Sequence, residues 1–530
     1  MPAITKLRQR HNRRIDNNRL QEIVNSGLNT YLQIIKDLKS QNREDVHEKI
    51  LIVGAGLAGL HAAWLLSKLG YKVRILEATN RIGGRVHSLY NFSKNRIVES
   101  GAELIGLNHP SWLYLAKYFG LSLCDLTTED KFSAMGLEMP ILIDGKKLDN
   151  EEVKAIEEEL NDILMKISKD AEQIAYPSHP WLESDEIKAL DQVSLADKLD
   201  EWGVEGLART VMNIQFENDN VAPLNKQSYL GILCQVKGGS LHNNTEEFWD
   251  VCEVFRCANG NQALAHKFAE GIKKRGGKIK LNTPVKKILK SENGVLVKTR
   301  HHKYNADYVI LTAPPSVWHR IQFDPKFNPR KYSPPMGQAI KFLSVVDNRF
   351  WIQEGISPTG LNNQLGEIWE SSDSQYFIPG QGIGITVFAG GSFAEKALAL
   401  KSESKMKERF KEGLQKSFNK RFLDHFKSSK MSLHSTDKYI QTGYSYHGIG
   451  SIGKLELLNQ PCAEYDNRLI FGGEYISTIF PGYMEGAIVS GATAVQQIVD
   501  QLTSEAGEQI HLMKNLPLPE IIIQTPQIHQ

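Results

Sequence analysis

Three groups of residues in this sequence have types and spacings that could do chemistry. Gly54, Gly56 and Gly59 form G-x-G-x-x-G. Their missing side chains permit, in that order, a tight turn, close approach of a pyrophosphate, and close packing of helix on strand. Amides at the N-terminus of a following helix would then face phosphate oxygens. In "FPGYMEGAIVSG", from Phe480 to Gly491, two glycines bracket Tyr483, Met484 and Glu485. That segment stands at the mouth of the helix-forming stretch "AIVSGATAVQQIVDQL". Lys341 interrupts the apolar run "QAIKFLSVV", putting a cation where a buried strand would carry none. A turn without a ligand, tyrosines packed in a core and an outward-facing lysine are the plainer readings of the same residues.

The elements that must position these groups are legible around them. Ile50 to Val53 is an apolar run that reads as a buried strand. The spacing then predicts a helix to about Leu69, with Gly70 as its C′ residue, and a second strand over Val73 to Leu76. Parallel strands joined by a helix belong to a doubly wound α/β sheet. Glu77 ends the second strand, where a carboxylate can accept from ribose hydroxyls and would repel a 2′-phosphate. Further strands are expected in "KIKLN", "GVLVKTR", "YVILTAPP" and "QAIKFLSVV". Between about 150 and 250 the pattern is helical. Val153, Ile156, Leu160, Ile163 and Ile167 trace one face, with Asn150 as N-cap. Residues 1–47 carry Leu20, Ile23, Val24, Tyr31, Leu32, Ile35 and Leu38 at helical spacing, which predicts an amphipathic helix docked on the body. The tail after about 503 reads as loosely ordered.

Composition narrows the class. The chain has 530 residues, 41% hydrophobic and 23% charged, enough for two or three domains. A formal net charge of +2 gives no field for nucleic acid. The five cysteines are scattered without metal-ligand spacing and are expected as buried thiols. No run approaches the ~18 apolar residues of a membrane span. The basic N-terminus lacks an apolar signal core, so the sequence reads as cytoplasmic.

The next segment sharpens the nucleotide reading. "RIGGRVHS" places Arg81, Gly83, Gly84 and Arg85 just after Glu77. Here the chain resembles the flavin-containing amine oxidases, over about residues 48–503. That family includes monoamine, polyamine and L-amino-acid oxidases and tryptophan 2-monooxygenase. The resemblance implies a Rossmann-like FAD-binding domain with a discontinuous α+β substrate-binding domain. The first would take 48–124, 250–316 and 440–503. The second would take 125–249 and 317–439, leaving 1–47 as an extension and 504–530 as a tail. It implies that FAD is held by Gly54, Gly56, Leu57, Ala58, Gly59, Glu77, Ala78, Arg81, Gly84, Arg85, Gly101, Ala102, Val285, Glu474, Gly482 and Met484. Pro284 and Val285 would bracket the adenine, Glu474 would bind a ribityl hydroxyl, and the Gly482–Met484 backbone would face the flavin's pyrimidine edge. Tyr444 and Tyr483 match the two walls of the family's aromatic cage, and Lys341 its lysine strand.

Departures from the family pattern bear on cofactor and substrate. Gly443 stands where membrane-bound monoamine oxidases carry the cysteine that bonds flavin, which implies non-covalent FAD. His434 stands where many relatives have tryptophan. Leu104 takes the place of the arginine that grips an amino acid's carboxylate, and Glu103 either favours a cationic or polyamine substrate or lies in the flavin shell. The resemblance thus implies an FAD-dependent oxidase that takes an amine and oxygen to an imine and hydrogen peroxide. An L-amino-acid oxidase, a tryptophan 2-monooxygenase and an inert flavin-bound scaffold stay open, as does a homodimer.

Overall fold

The computed structural model describes residues 47–94, 96–126, 129–241, 243–326, 333–373, 375, 380, 382–506 and 523–524. Ile50 to Val53 are all buried, so strand Lys49–Val53 takes the centre of a five-stranded sheet. The order is Leu469–Phe471, Tyr308–Leu311, Lys49–Val53, Lys72–Leu76, Lys278–Lys280, and every pairing is parallel. Register sets Ile52 opposite Ile75 and Ile310. The helix Leu57–Lys68 follows the first strand, and Gly70 ends it with a φ of +90°. It packs against Gln262–Lys274 and against the long helix Met484–Ala506. A Cβ on Gly491 would stand 2.5 Å from the Ala58 carbonyl oxygen, so that contact requires glycine. The last helix therefore returns to the helix that follows the first glycine turn.

A second, seven-stranded sheet runs Phe426–Ser432, Ala339–Val346, Ile383–Gly390, Gly366–Glu370, Gly360–Asn362, Ile141–Ile143, Lys146–Lys147. Its pairs are antiparallel except Gly360–Asn362 with Ile141–Ile143. Lys341 lies mid-strand there, opposite Phe388 on one side and Ser432 on the other. Helix Gly206–Asp219 packs on this sheet and ends at the cavity described below.

The helix expected after 150 spans Asn150–Ala171, and the expected face from Val153 to Ile167 is buried. Its N-cap is Asp149, not Asn150 as the sequence suggested. The Asp149 carboxylate accepts from the Glu152 amide at 2.9 Å, and Glu152 accepts from the Asp149 amide at 2.9 Å. This reciprocal box is stronger than a single asparagine cap one residue later. All five cysteines are buried thiols outside any disulfide, and burial pushes the Cys257 and Cys462 thiols up to about 12. Among the described residues no helix is long and apolar enough to cross a membrane. The expected N-terminal helix and most of the tail lie outside the described residues.

Candidate active site

One cavity runs from the first glycine turn to the last. At its first end, Gly54 has a φ of +114°, and a Cβ there would stand 2.7 Å from Thr312 Oγ1. Gly56 is the opposite case, since its Cβ would meet nothing within 4 Å and would only fill the cavity. Gly84 closes on Gly56, with a φ of +59° that favours glycine and a Cβ position 3.2 Å from the Gly56 Cα. Glu77 Oε2 accepts from the Ala55 amide at 2.7 Å and Oε1 from the Thr79 amide at 2.8 Å, which fixes the carboxylate at the strand end. Arg81 donates to the Gly84 carbonyl at 2.6 Å and locks the second glycine loop.

At the far end Glu474 joins distant segments. It accepts from Arg85 at 2.6 Å, from Ser445 Oγ at 2.5 Å and from the Gly482 amide at 2.6 Å. Gly482 is required there, because at φ +80° its Cβ would stand 2.5 Å from the Tyr444 ring. Its glycine therefore lets one cavity tyrosine lie over the turn that carries the other. Tyr483 packs edge-on against His109, with ring centroids 5.2 Å apart. Tyr444 donates to the Asp219 carbonyl at 2.8 Å. Lys341 Nζ reaches Glu103 at 2.7 Å and the Gly101 carbonyl at 2.9 Å. Glu103 also accepts from Arg256 at 2.8 Å and from Trp369 Nε1 at 2.9 Å. Burial alone would raise the Glu103 carboxyl, but Lys341 and Arg256 hold it below its usual value. Glu103 therefore belongs to an ion network in the cavity wall, where it is already paired with Lys341 and Arg256.

Every residue expected at the site lines this cavity except Gly59. A Cβ on Gly59 would stand 2.2 Å from the Gly54 carbonyl oxygen, so it serves the packing of the turn. Leu104, Gly443 and His434 line the cavity too, and Nε2 of His434 is buried there without a hydrogen-bond partner. Sequence reasoning missed Asp219, Glu253 and Glu367, which share the cavity with Tyr444 and Tyr483. Burial first, and then the charges of Asp219 and Glu253, push both tyrosine hydroxyls well above their usual range. Glu367 sits in "GEIWE", a fully buried strand, and carries the same signal that singled out Lys341. No comparable signal marks Asp219 or Glu253.

The family model for flavin containing amine oxidoreductase matches residues 57–499. The chain belongs to that family. A probable flavin-containing monoamine oxidase A of Dictyostelium discoideum is 26% identical over 86% of this chain and 98% of its own. An L-amino acid dehydrogenase of Synechocystis is 26% identical over 85% of this chain and 95% of its own. A solved structure of putrescine oxidase bound to putrescine superimposes with a TM-score of 0.72 at 20% identity, over 86% of this chain and 99% of that one. Fold and family thus agree with the sequence: a Rossmann-like parallel sheet with a second domain. A flavin-containing amine oxidoreductase holds a flavin, and the residues present fit one. The open Gly56 cradle, the fixed Glu77 carboxylate and the orphaned His434 nitrogen all face the same cavity.

Proposed function

We propose that this amine oxidoreductase is an FAD-dependent oxidase of amines that lack an α-carboxylate. When bound, FAD supplies the two-electron chemistry that takes an amine to an imine and oxygen to hydrogen peroxide. Around it, Glu77 holds the ribose end, and helix Met484–Ala506 starts at the cavity with the positive end of its dipole. Tyr444 and Tyr483 flank the amine nitrogen and exclude water. Lys341 lends positive charge beside the reacting centre.

The observation that carries the substrate reading is the make-up of the wall near Tyr444 and Tyr483. Leu104 and the carboxylates Asp219, Glu253 and Glu367 line it. Of the cations that line the cavity, Arg85 and Lys341 are paired with Glu474 and Glu103. A substrate carboxylate drawn in here would lose its water beside other buried carboxyl groups, at a cost of several kcal/mol. Tryptamine against tryptophan, and phenethylamine against phenylalanine, isolate that carboxylate. A missing charged pair of ~2–3 kcal/mol corresponds to a ~30–150-fold higher kcat/KM for the amine. An amino acid that wins in both pairs rejects the reading. Peroxide release in the same assays tests oxygen as acceptor, which the relative named a dehydrogenase leaves open.

FAD is held without a covalent bond in this proposal. A Cβ on Gly443 would stand 2.5 Å from Ala339 Cβ and 2.7 Å from its amide nitrogen, so no tethering side chain fits there. The purified protein should be yellow, and acid precipitation should leave free FAD in the supernatant. Flavin pelleting with the protein would contradict the claim.

A further inference from the structure

We infer that this protein docks on membrane surfaces rich in anionic lipid, through the outer face of a small four-stranded sheet that the amine chemistry does not use. The sheet runs Lys303–Ala306, Gly294–Lys298, Lys287–Ser291, Gln322–Asp324. One of its faces is core, where Ile288, Val295, Val297, Tyr304, Ala306 and Phe323 are buried.

On the other face, register sets Lys287 opposite Lys298 and Lys298 opposite Lys303. Residues directly opposite in a sheet share a face, with Cβ atoms about 5 Å apart. Three lysines therefore stand in one row across three strands. Lys287 and Lys303 are exposed and Lys298 is half-buried. Among the described residues none of the three forms an ion pair. The next row holds Leu289 opposite Leu296, both half-buried, with Asn305 and Asp324 at its two ends. Arg300 is exposed in the turn that joins Lys298 to Lys303, which the Thr299 amide closes on the His302 carbonyl at 2.9 Å.

Like charges directly opposite destabilise a sheet. Lysines on edge strands keep a sheet from pairing with other chains. That accounts for Lys303, on an edge strand, but not for Lys287 and Lys298 on the two inner strands. The wider charge distribution points the same way. Residues 273–303 hold eleven of the chain's 63 Lys and Arg and one, Glu292, of its 61 Asp and Glu. The whole chain is only +2, so the rest of it is net acidic and its positive charge is concentrated here. An anionic partner offsets the repulsion within the row.

The make-up of the face favours lipid headgroups over nucleic acid. It carries no aromatic ring on which bases could stack and no helix to enter a groove. A headgroup layer takes what is there: ammoniums meet lipid phosphates, while lysine stems and the two leucines reach toward the acyl boundary.

The test uses the flavin-loaded full chain and sedimentation with vesicles of phosphatidylcholine, with and without ~30% phosphatidylserine. The protein should pellet with the anionic vesicles and stay in solution with the neutral ones. Raising salt from about 0.05 M to about 0.5 M should release it. Each cation near such a surface is worth about fivefold in partitioning. Lys287→Gln, Lys298→Gln and Lys303→Gln together should therefore weaken binding about 100-fold. This variant should unfold at no lower a temperature, because the repulsion in the row is gone, so lost binding reports the surface and not the fold. Lys303→Glu alone, at the exposed edge, should weaken binding about 25-fold, two charges' worth. Removing the exposed lysines Lys154, Lys401 and Lys405 in the same way should leave binding in place. Equal partitioning to neutral and anionic vesicles overturns the inference. So does an equal loss in the two triple variants, which would make net charge the cause. Tighter binding to a DNA duplex than to the anionic vesicles at the same salt would overturn the lipid assignment.

Discussion

Lys341→Met is expected to retain flavin and to slow its reoxidation by oxygen by roughly 100-fold, the scale of removing one preorganised charge from a reacting centre. Lys341 Nζ lies at the cavity, 7% exposed for the residue as a whole, in the middle of strand Ala339–Val346. Its position is set by Glu103 and two carbonyls, those of Gly101 and Glu99. Oxygen becomes negatively charged as it takes up electrons, and an adjacent ammonium in a dry site stabilises that charge. Methionine fills the stem's volume without the cation. Flavin reduction by amine develops no negative charge on oxygen, so it should change much less. The two half-reactions separate in a stopped-flow experiment, and an unchanged oxidative phase rejects the role. A second effect accompanies it. Removing one partner of a buried pair costs about 3–5 kcal/mol when a charge is left alone. Here Glu103 keeps Arg256 and Trp369 as partners, so the loss of stability should fall below that range.

How much of this was legible in the sequence followed from how local each feature is. The first βαβ unit needs only an apolar run, three glycines and a C′ glycine within about one helix and two strands, and each of these reads directly. The Asp149 cap was legible too, since Glu152 three residues later is the partner of a capping box, yet Asn150 next to it is an equally common cap residue. Lys341 stood out because it breaks an apolar strand. Its pairing with Glu103 did not, because a carboxylate 238 positions away gives no sequence-local sign. The carboxylate wall was illegible for the same reason. Asp219 ends a helix, Glu253 lies in a turn and Glu367 in a strand, and only the fold brings them to one cavity. The family resemblance supplied the glycine, tyrosine and lysine positions and did not supply these three carboxylates.

Glu485, set between the glycines of the last turn, shows the same limit, and its role leads to the other large expected effect. It does not face the cavity. It reaches the start of helix Pro110–Phe119, where His109 is the N-cap position and offers no capping side chain. Glu485 Oε1 accepts from the Ser111 amide and Oε2 from the Trp112 amide, each at 2.9 Å, across a sequence separation of 374 and 373 residues. One carboxylate thus caps a helix in trans from the first turn of another, and both helix dipoles favour its charge. Glu485→Ala strands two buried amides, at about 1–3 kcal/mol each, so roughly 2–6 kcal/mol of stability should go. Burial, opposed by those amide bonds, raises the Glu485 carboxyl from 4.5 to about 7. The folded state therefore holds this proton more tightly than the unfolded chain does. The stability tied to that proton is fully present below pH 4.5 and is lost as pH rises through 7. The full window corresponds to about 3 kcal/mol. Glu485→Gln cannot titrate, so its stability should fall less between pH 4.5 and 7.5 than that of the unmodified protein, while other groups cancel in the comparison. Urea unfolding of both proteins across that range measures the difference. Parallel pH profiles would mean that Glu485 is ionised throughout the range, and that the two amides outweigh its burial.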